Sequence, residues 1–284
     1  MKINILATIV AFVSPFVVIF FTASTSQAHV VINPNSDFAQ YESYGMYFDP
    51  QSDLYLRSGG NAWGALGGAM ALLGFPDLRY PAQLIIHGSA NASYRLTKTQ
   101  GMIETKFETI DARVGLSYDM AFTKKWRMAI IWTHESGHIS DNIADMNLFG
   151  LDVGNEAIDF RVIHDIGDRW RIGGGLKPYV MSHPNMKFLW AEQFVEWHPM
   201  GASPNPHVLR PYFAAGLIEG GVADMNLTVN IQAGIEAENH FLPGHTQGMR
   251  ALIGYYAGND PRMKYLQYLH ATQQFLYGGF AFDL

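Results

Sequence analysis

From Ile110 to Met120 every second residue is apolar or Ala (Ile110, Ala112, Val114, Leu116, Tyr118, Met120), while Asp111, Arg113, Gly115, Ser117 and Asp119 between them are polar or small. A period of two puts these sets on opposite faces of a β-strand. The pattern returns at 84–95, where Leu84, Ile86, Ala90, Ala92 and Tyr94 oppose His87, Ser89, Asn91, Ser93 and Arg95. It returns again at 226–236, with Leu227, Val229, Ile231, Ala233 and Ile235 set against Asn226, Thr228, Asn230, Gln232 and Glu236. In RWRIGGGLK, Trp170, Ile172 and Leu176 oppose Arg169, Arg171 and Lys177. Such strands suit either a sandwich with one wet face or a barrel in lipid. Their length favours the barrel, because a tilted strand needs roughly ten residues to cross a bilayer.

The N-terminus supports export. Lys2 precedes the apolar run ILATIVAFVSPFVVIFF and the small-residue exit TASTSQA, so residues 1–28 read as a signal peptide cleaved after Ala28. Beyond it no apolar run reaches the ~20 residues of a membrane helix. The chain has no cysteine, which excludes disulfides, thiolate chemistry and Cys-ligated zinc. A net charge of −6 without a Lys/Arg cluster argues against nucleic acid as a partner.

Strand-like segments fall near 53–59, 62–73, 84–96, 108–122, 125–138, 156–165, 168–180, 187–198, 207–219, 223–237, 246–258 and 272–284. The first two are the weakest, since NAWGALGGAMALLG also suits a small-residue helix or a plug. The expectation is an all-β chain: a transmembrane antiparallel up-and-down β-barrel of about twelve strands. It would occupy residues 29–284, with 29–60 as a periplasmic or plug-like lead-in. Short turns at Thr123-Lys124 and Gly167 belong to one end, and the longer connections 139–155 and 259–271 to the other, extracellular end. Tyr118, Trp126, Trp132, Trp170, Trp190 and Trp197 lie near strand ends and read as interfacial girdles. The polar faces, including Asp111, Arg113 and Asp119, read as lumen.

The sharpest chemical signal is HESGH, His134 to His138. Its spacing matches the HExxH of zinc hydrolases, with His134, His138 and Glu156 as ligands and Glu135 as base. That chemistry needs a helix, whereas a β-like run enters the motif and Ser136-Gly137 occupies its middle. An exposed His29 is half of a copper brace without an identified partner. On a strand, His134, Ser136 and His138 continue the row Met128, Ile130, Trp132 and face lipid at the outer leaflet. Ser136 would then be a nucleophile, His134 its base, and Asp141 or Glu156 the group that orients the base. Asn142 and Asn147 are further candidates for the orienting role.

A His-x-Ser strand end resembles those of outer-membrane phospholipase A and the barrel lipid A deacylase. Here Gly137-His138 replaces the phospholipase's Asn-Gly continuation. A wider resemblance links TIDARVGLSYDMAFTKKWRMAIIWTHESGHISDN, RPYFAAGL, NIQAGIE and GYYAGNDP to an uncharacterised bacterial family, domain of unknown function 1207. His134, Ser136, His138, Asp141 and Glu156-Ala157 match its signature, while Gly137, Ile139, Ser140 and Asn142 depart from it. That resemblance implies an outer-membrane barrel and carries no established activity. The leading expectation is a structural, narrow-pore or partner-binding barrel whose His/Ser/Asp cluster holds a loop at the extracellular rim. The alternative is a hydrolase acting on phospholipid or lipid A. No cofactor is expected. The expected surroundings are outer-membrane lipid, with lipopolysaccharide or another envelope protein as partner; the sequence carries no signal for an oligomeric state.

Overall fold

A computed structural model describes residues 31–32, 52–139, 153–184, 186–187, 189–201, 208–222, 224–242 and 245–282. The signal segment, His29, Asp141, Asn142 and Asn147 lie outside them. Among the described residues the chain is almost entirely strand: β1 (Val31–Ile32), β2 (Ser52–Arg57), β3 (Asn61–Phe75), β4 (Ala82–Thr99), β5 (Met102–Ala121), β6 (Trp126–Ile139) and β7 (Val153–Ile166) come first. Then follow β8 (Trp170–His183), β9 (Leu189–Trp197), β10 (Arg210–Gly220), β11 (Asn226–Leu242), β12 (His245–Asn259), the short helix α1 (Met263–Leu269) and β13 (Thr272–Phe282). Each of the strands β2 to β13 pairs antiparallel with its sequence neighbours, and β13 returns to β2. This is a closed twelve-stranded up-and-down barrel. NAWGALGGAMALLGF is the wall strand β3, not a helix or plug. The wall begins at Ser52, inside the segment expected as lead-in, while Val31–Ile32 pairs with Leu73 and Gly74 of β3.

Alternation decides which side chains meet lipid. Val114, Leu116, Ile172, Leu176, Leu227, Ile231 and Ile235 are exposed, and Ser117, Asp119, Thr228, Asn230, Gln232 and Glu236 are buried. An apolar exterior around a polar interior is the inverse of a water-soluble domain and the profile of a barrel in a bilayer. The turn at Thr123-Lys124 and the turn at Gly167 share one end, and the connections after β6 and β12 share the other. A connection of similar length, 198–209, follows β9 at the turn end. At the turn end, exposed Trp170 and Trp197 stack at 5.8 Å, and exposed Trp126 stacks on His164 at 4.0 Å. One residue departs from the girdle expectation: Trp190 is buried in the lumen, because it occupies an inward position of its strand, as Trp63 does in β3.

The lumen is filled from two sides. Tyr55, Trp63, Tyr212, Tyr256, Phe275 and Tyr277 form an aromatic cluster, with the Arg57 guanidinium over the rings of Trp63 and Phe275. Opposite them stand ion pairs: Lys177 and Arg113 on Glu135 at 2.5 and 3.4 Å, and Arg161 on Asp159 and Glu192 at 2.8 and 2.6 Å. Near the turn end, His198 approaches Glu236 at 3.1 Å and Glu196 at 3.8 Å, and Arg210 also reaches Glu236.

At the loop end the chain folds inward after β12. Gly258 has φ +141°, and a Cβ there would sit 2.4 Å from Thr228 Cα, so only glycine makes this bend. Tyr256 donates its hydroxyl to Asn259 O, and Asn259 Nδ2 donates to Gly220 O. Arg262 pairs with Asp260 and with Glu108 of β5, the Met263 amide donates to Asp111 Oδ2, and Leu266 packs beside Tyr179, Trp190 and Ile218. The connection expected only as one of the longer ones, 259–271, is therefore a stopper seated on the lumen wall.

Two outcomes follow from the ionic interior. Glu135→Ala leaves Lys177 without its closest carboxylate, which for a buried pair costs about 3–5 kcal/mol. Urea unfolding in detergent should show that loss; a change below about 1 kcal/mol, as for a surface pair, would contradict it. Burial disfavours a charged His198, yet hydrogen bonds and charge from Glu196 and Glu236 outweigh burial and push it up to about 9. Its stabilising contribution is therefore complete below the ordinary histidine value of about 6.5 and lost as pH rises through about 9. The urea midpoint should fall more between pH 7 and 10 in the wild type than in His198→Ala, and equal falls would refute the assignment.

Candidate functional site

β6 carries HESGH as extended strand, so its residues divide between two faces. Thr133, Glu135 and Gly137 point into the lumen and are buried. Trp132, His134, Ser136 and His138 point outward. This overturns the zinc arrangement in physical terms. Residues four apart on a strand are about 13 Å apart rather than one helical turn, and the Glu135 carboxylate is on the wrong side of the wall, bound to Lys177. Among the described residues no cluster of three metal-ligating side chains is present.

The outward row has a partner on β7. His134 is paired in register with Glu156, and His134 Nδ1 lies 2.7 Å from Glu156 Oε1. An ionised carboxylate only accepts, so in this contact Nδ1 carries the proton. Ser136 stands one outward position further along β6, and no hydrogen bond joins its hydroxyl to His134 in this conformation. Apo catalytic contacts are often longer than those in the substrate complex. His138 is exposed another outward position along. Of the predicted residues, the structure thus brings His134, Ser136 and Glu156 onto one patch and separates Glu135 from it.

The height of the patch follows from strand geometry. His134 is eight residues along β6 from the girdle residue Trp126. At about 3.3 Å per residue and a tilt near 40°, that is roughly 20 Å, close to the far edge of an apolar band ~25 Å tall. The pair lies on the outer face of the barrel toward its loop end, flanked by exposed Trp132, Val114 and Met181.

The neighbouring positions are small. Ser136 is level with Ala112 of β5 and Gly154 of β7, and a Cβ at Gly154 would meet nothing within 4 Å. Beyond Gly154 in the same row stands exposed His183 of β8. His183 escaped the sequence reading because the irregularity between Glu156 and Ala157 shifts the register of β8 and leaves no motif around it. Only the counting of pairs across three strands finds it.

The barrel is similar in fold to two solved structures, the KdgM porin and the KdgM porin in complex with disordered oligogalacturonate. The TM-score is 0.44 for each, at 9% and 10% identity, over 83% of this chain and 98% of those chains. No curated protein matches the sequence. Residues 97–279, from the end of β4 to the inward-facing residues of β13, match the family described as protein of unknown function DUF1207. That span includes HESGH, Glu156, His183 and the stopper, and the chain belongs to this family.

Proposed function

We propose that this integral outer-membrane barrel acts on its outer face, as an acyl hydrolase of outer-leaflet lipid. The observation that carries the reading is the His134–Glu156 pair, an ionisable couple turned toward lipid beside a serine. Ionisable groups at membrane depth are costly and mark function by default. The lumen supports the same direction by its packing: Glu135, Asp159, Arg161, Arg250 and Tyr256 are all buried there, and the Met263 amide of the stopper is bound to Asp111 on its wall.

In this reading Ser136 Oγ attacks the ester carbonyl while His134 Nε2 takes the hydroxyl proton. Glu156 accepts from Nδ1–H, which fixes the tautomer and stabilises the imidazolium. His134 then returns the proton to the departing alcohol as the ester C–O bond breaks. Water, deprotonated by His134, cleaves the acyl-serine and releases the fatty acid. Asp141 keeps the orienting role only as a proposal, since Glu156 supplies the contact that the role requires.

A second reading has an observation of its own. His134 and Glu156 bridge β6 and β7, the two strands joined by the connection 140–152, so the pair also suits a clasp at the base of that connection. Lipid release by protein folded in phospholipid–detergent micelles separates the two. Ser136→Ala and His134→Ala should each lower fatty-acid release by about 10³-fold or more, and Glu156→Ala by less. No release by wild type, or equal release by all four proteins, would sink the hydrolase and leave the clasp.

A further inference from the structure

The outer wall beside the site is not smooth. A shallow depression, wide open to the lipid-facing surface, is lined by Leu66, Gly68, Met70, Ile86, Gly88 and Val114; we refer to it as the furrow. Gly68 and Gly88 face each other across β3 and β4 and supply no side chain. Leu66, Met70, Ile86 and Val114 are exposed and form its apolar walls. Its last residue is the link to the site. Val114 pairs with Gly88 on one side and with His134 on the other, so furrow, base and Glu156 form one continuous row across five strands.

The row is chemically one-sided. From Ser136 toward β3 the outward residues are Ala112, Ala90 and Leu66, with the furrow in the adjoining row. From Ser136 toward β8 they are Gly154 and then His183. Strands lie about 4.8 Å apart, so Gly88 is roughly 10 Å from His134 on one side and His183 roughly 10 Å from Ser136 on the other. An ester seated at Ser136 has an apolar trough to one side and the His183 imidazole to the other.

We infer that the furrow holds the acyl tail of the lipid cleaved at Ser136, so that the enzyme is selective for long-chain esters, with the headgroup toward His183. The inference rests on the hydrolase reading and adds the substrate's orientation and chain length to it. Bulk lipid also covers this wall. The furrow differs from the remainder in ending at Val114, the residue paired with His134, so that a tail lying in it and passing over Val114 brings its carbonyl beside the nucleophile.

The test uses the full folded barrel with dihexanoyl and dipalmitoyl phosphatidylcholine in the same mixed micelles. Val114→Trp and Gly88→Leu fill the furrow, and Leu276→Trp places a ring on an exposed outward position of β13, away from it. Folding of each is checked by the heat-induced gel shift of intact barrels. The two furrow variants should lower the long-to-short rate ratio about tenfold, the scale on which apolar pockets discriminate chain length, and Leu276→Trp should leave it unchanged. A wild type that cleaves both lipids while the ratio stays within about twofold in every variant overturns the furrow alone. A wild type that cleaves neither lipid overturns the hydrolase reading, and the furrow assignment falls with it.

Discussion

Every backbone amide and carbonyl placed in a bilayer must find a partner within the protein, because hydrocarbon supplies none. The rest of this molecule depends on that constraint. A sheet with two free edges cannot satisfy it, and the chain resolves it by pairing β13 with β2 and β2 with β3, even though β2 is only six residues long. Ser58 extends this seam by donating its amide to Leu276 O and accepting from the Leu276 amide at its hydroxyl. Once the sheet closes, each strand has only an inside and an outside, and the alternation of its side chains fixes what each side does.

The inside is packed by complementary halves. Aromatic residues from β2, β3, β10, β12 and β13 fill one part, and carboxylates paired with Arg and Lys from β5 to β9 fill the other. Buried charges are tolerable only where paired, and a removed partner leaves an unscreened ion. The stopper extends the same logic to the loop end. Arg262 sits between Asp260 and Glu108, with burial opposed and outweighed by these carboxylates, which hold its pKa above the usual arginine value. Polar groups on the outside lack this support, which is why an outward His–Glu pair stands apart from the many inward ones.

Much of the barrel is legible in the sequence. The alternation in 84–96, 108–122 and 223–237 identifies strands and also their faces, since period two leaves no third choice. Even the weak segments near 53–59 and 62–73 coincide with β2 and β3. What alternation cannot tell is whether an aromatic residue points to lipid or lumen when both faces accept rings, and Trp190 lies in the lumen rather than the girdle for that reason. The stopper was illegible because NDPRMKYLQYLH has no period of its own; its shape comes from the bend at Gly258 and from tertiary contacts with Glu108 and Asp111. In HESGH, two incompatible geometries share one spacing, and the neighbouring strand residues decided between them. The His134–Glu156 contact depends on the register of β6 with β7, which passes through a connection whose length the motif does not encode.

Covalent trapping tests directly whether Ser136 is an activated nucleophile on the outer face. The barrel folded in lipid would be treated with a lipophilic fluorophosphonate and digested for mass spectrometry. The expected result is a single phosphonylated serine, Ser136, with labelling lost in His134→Ala and slowed in Glu156→Ala. An unlabelled Ser136 in the wild type, or labelling that persists undiminished without His134, would contradict the account.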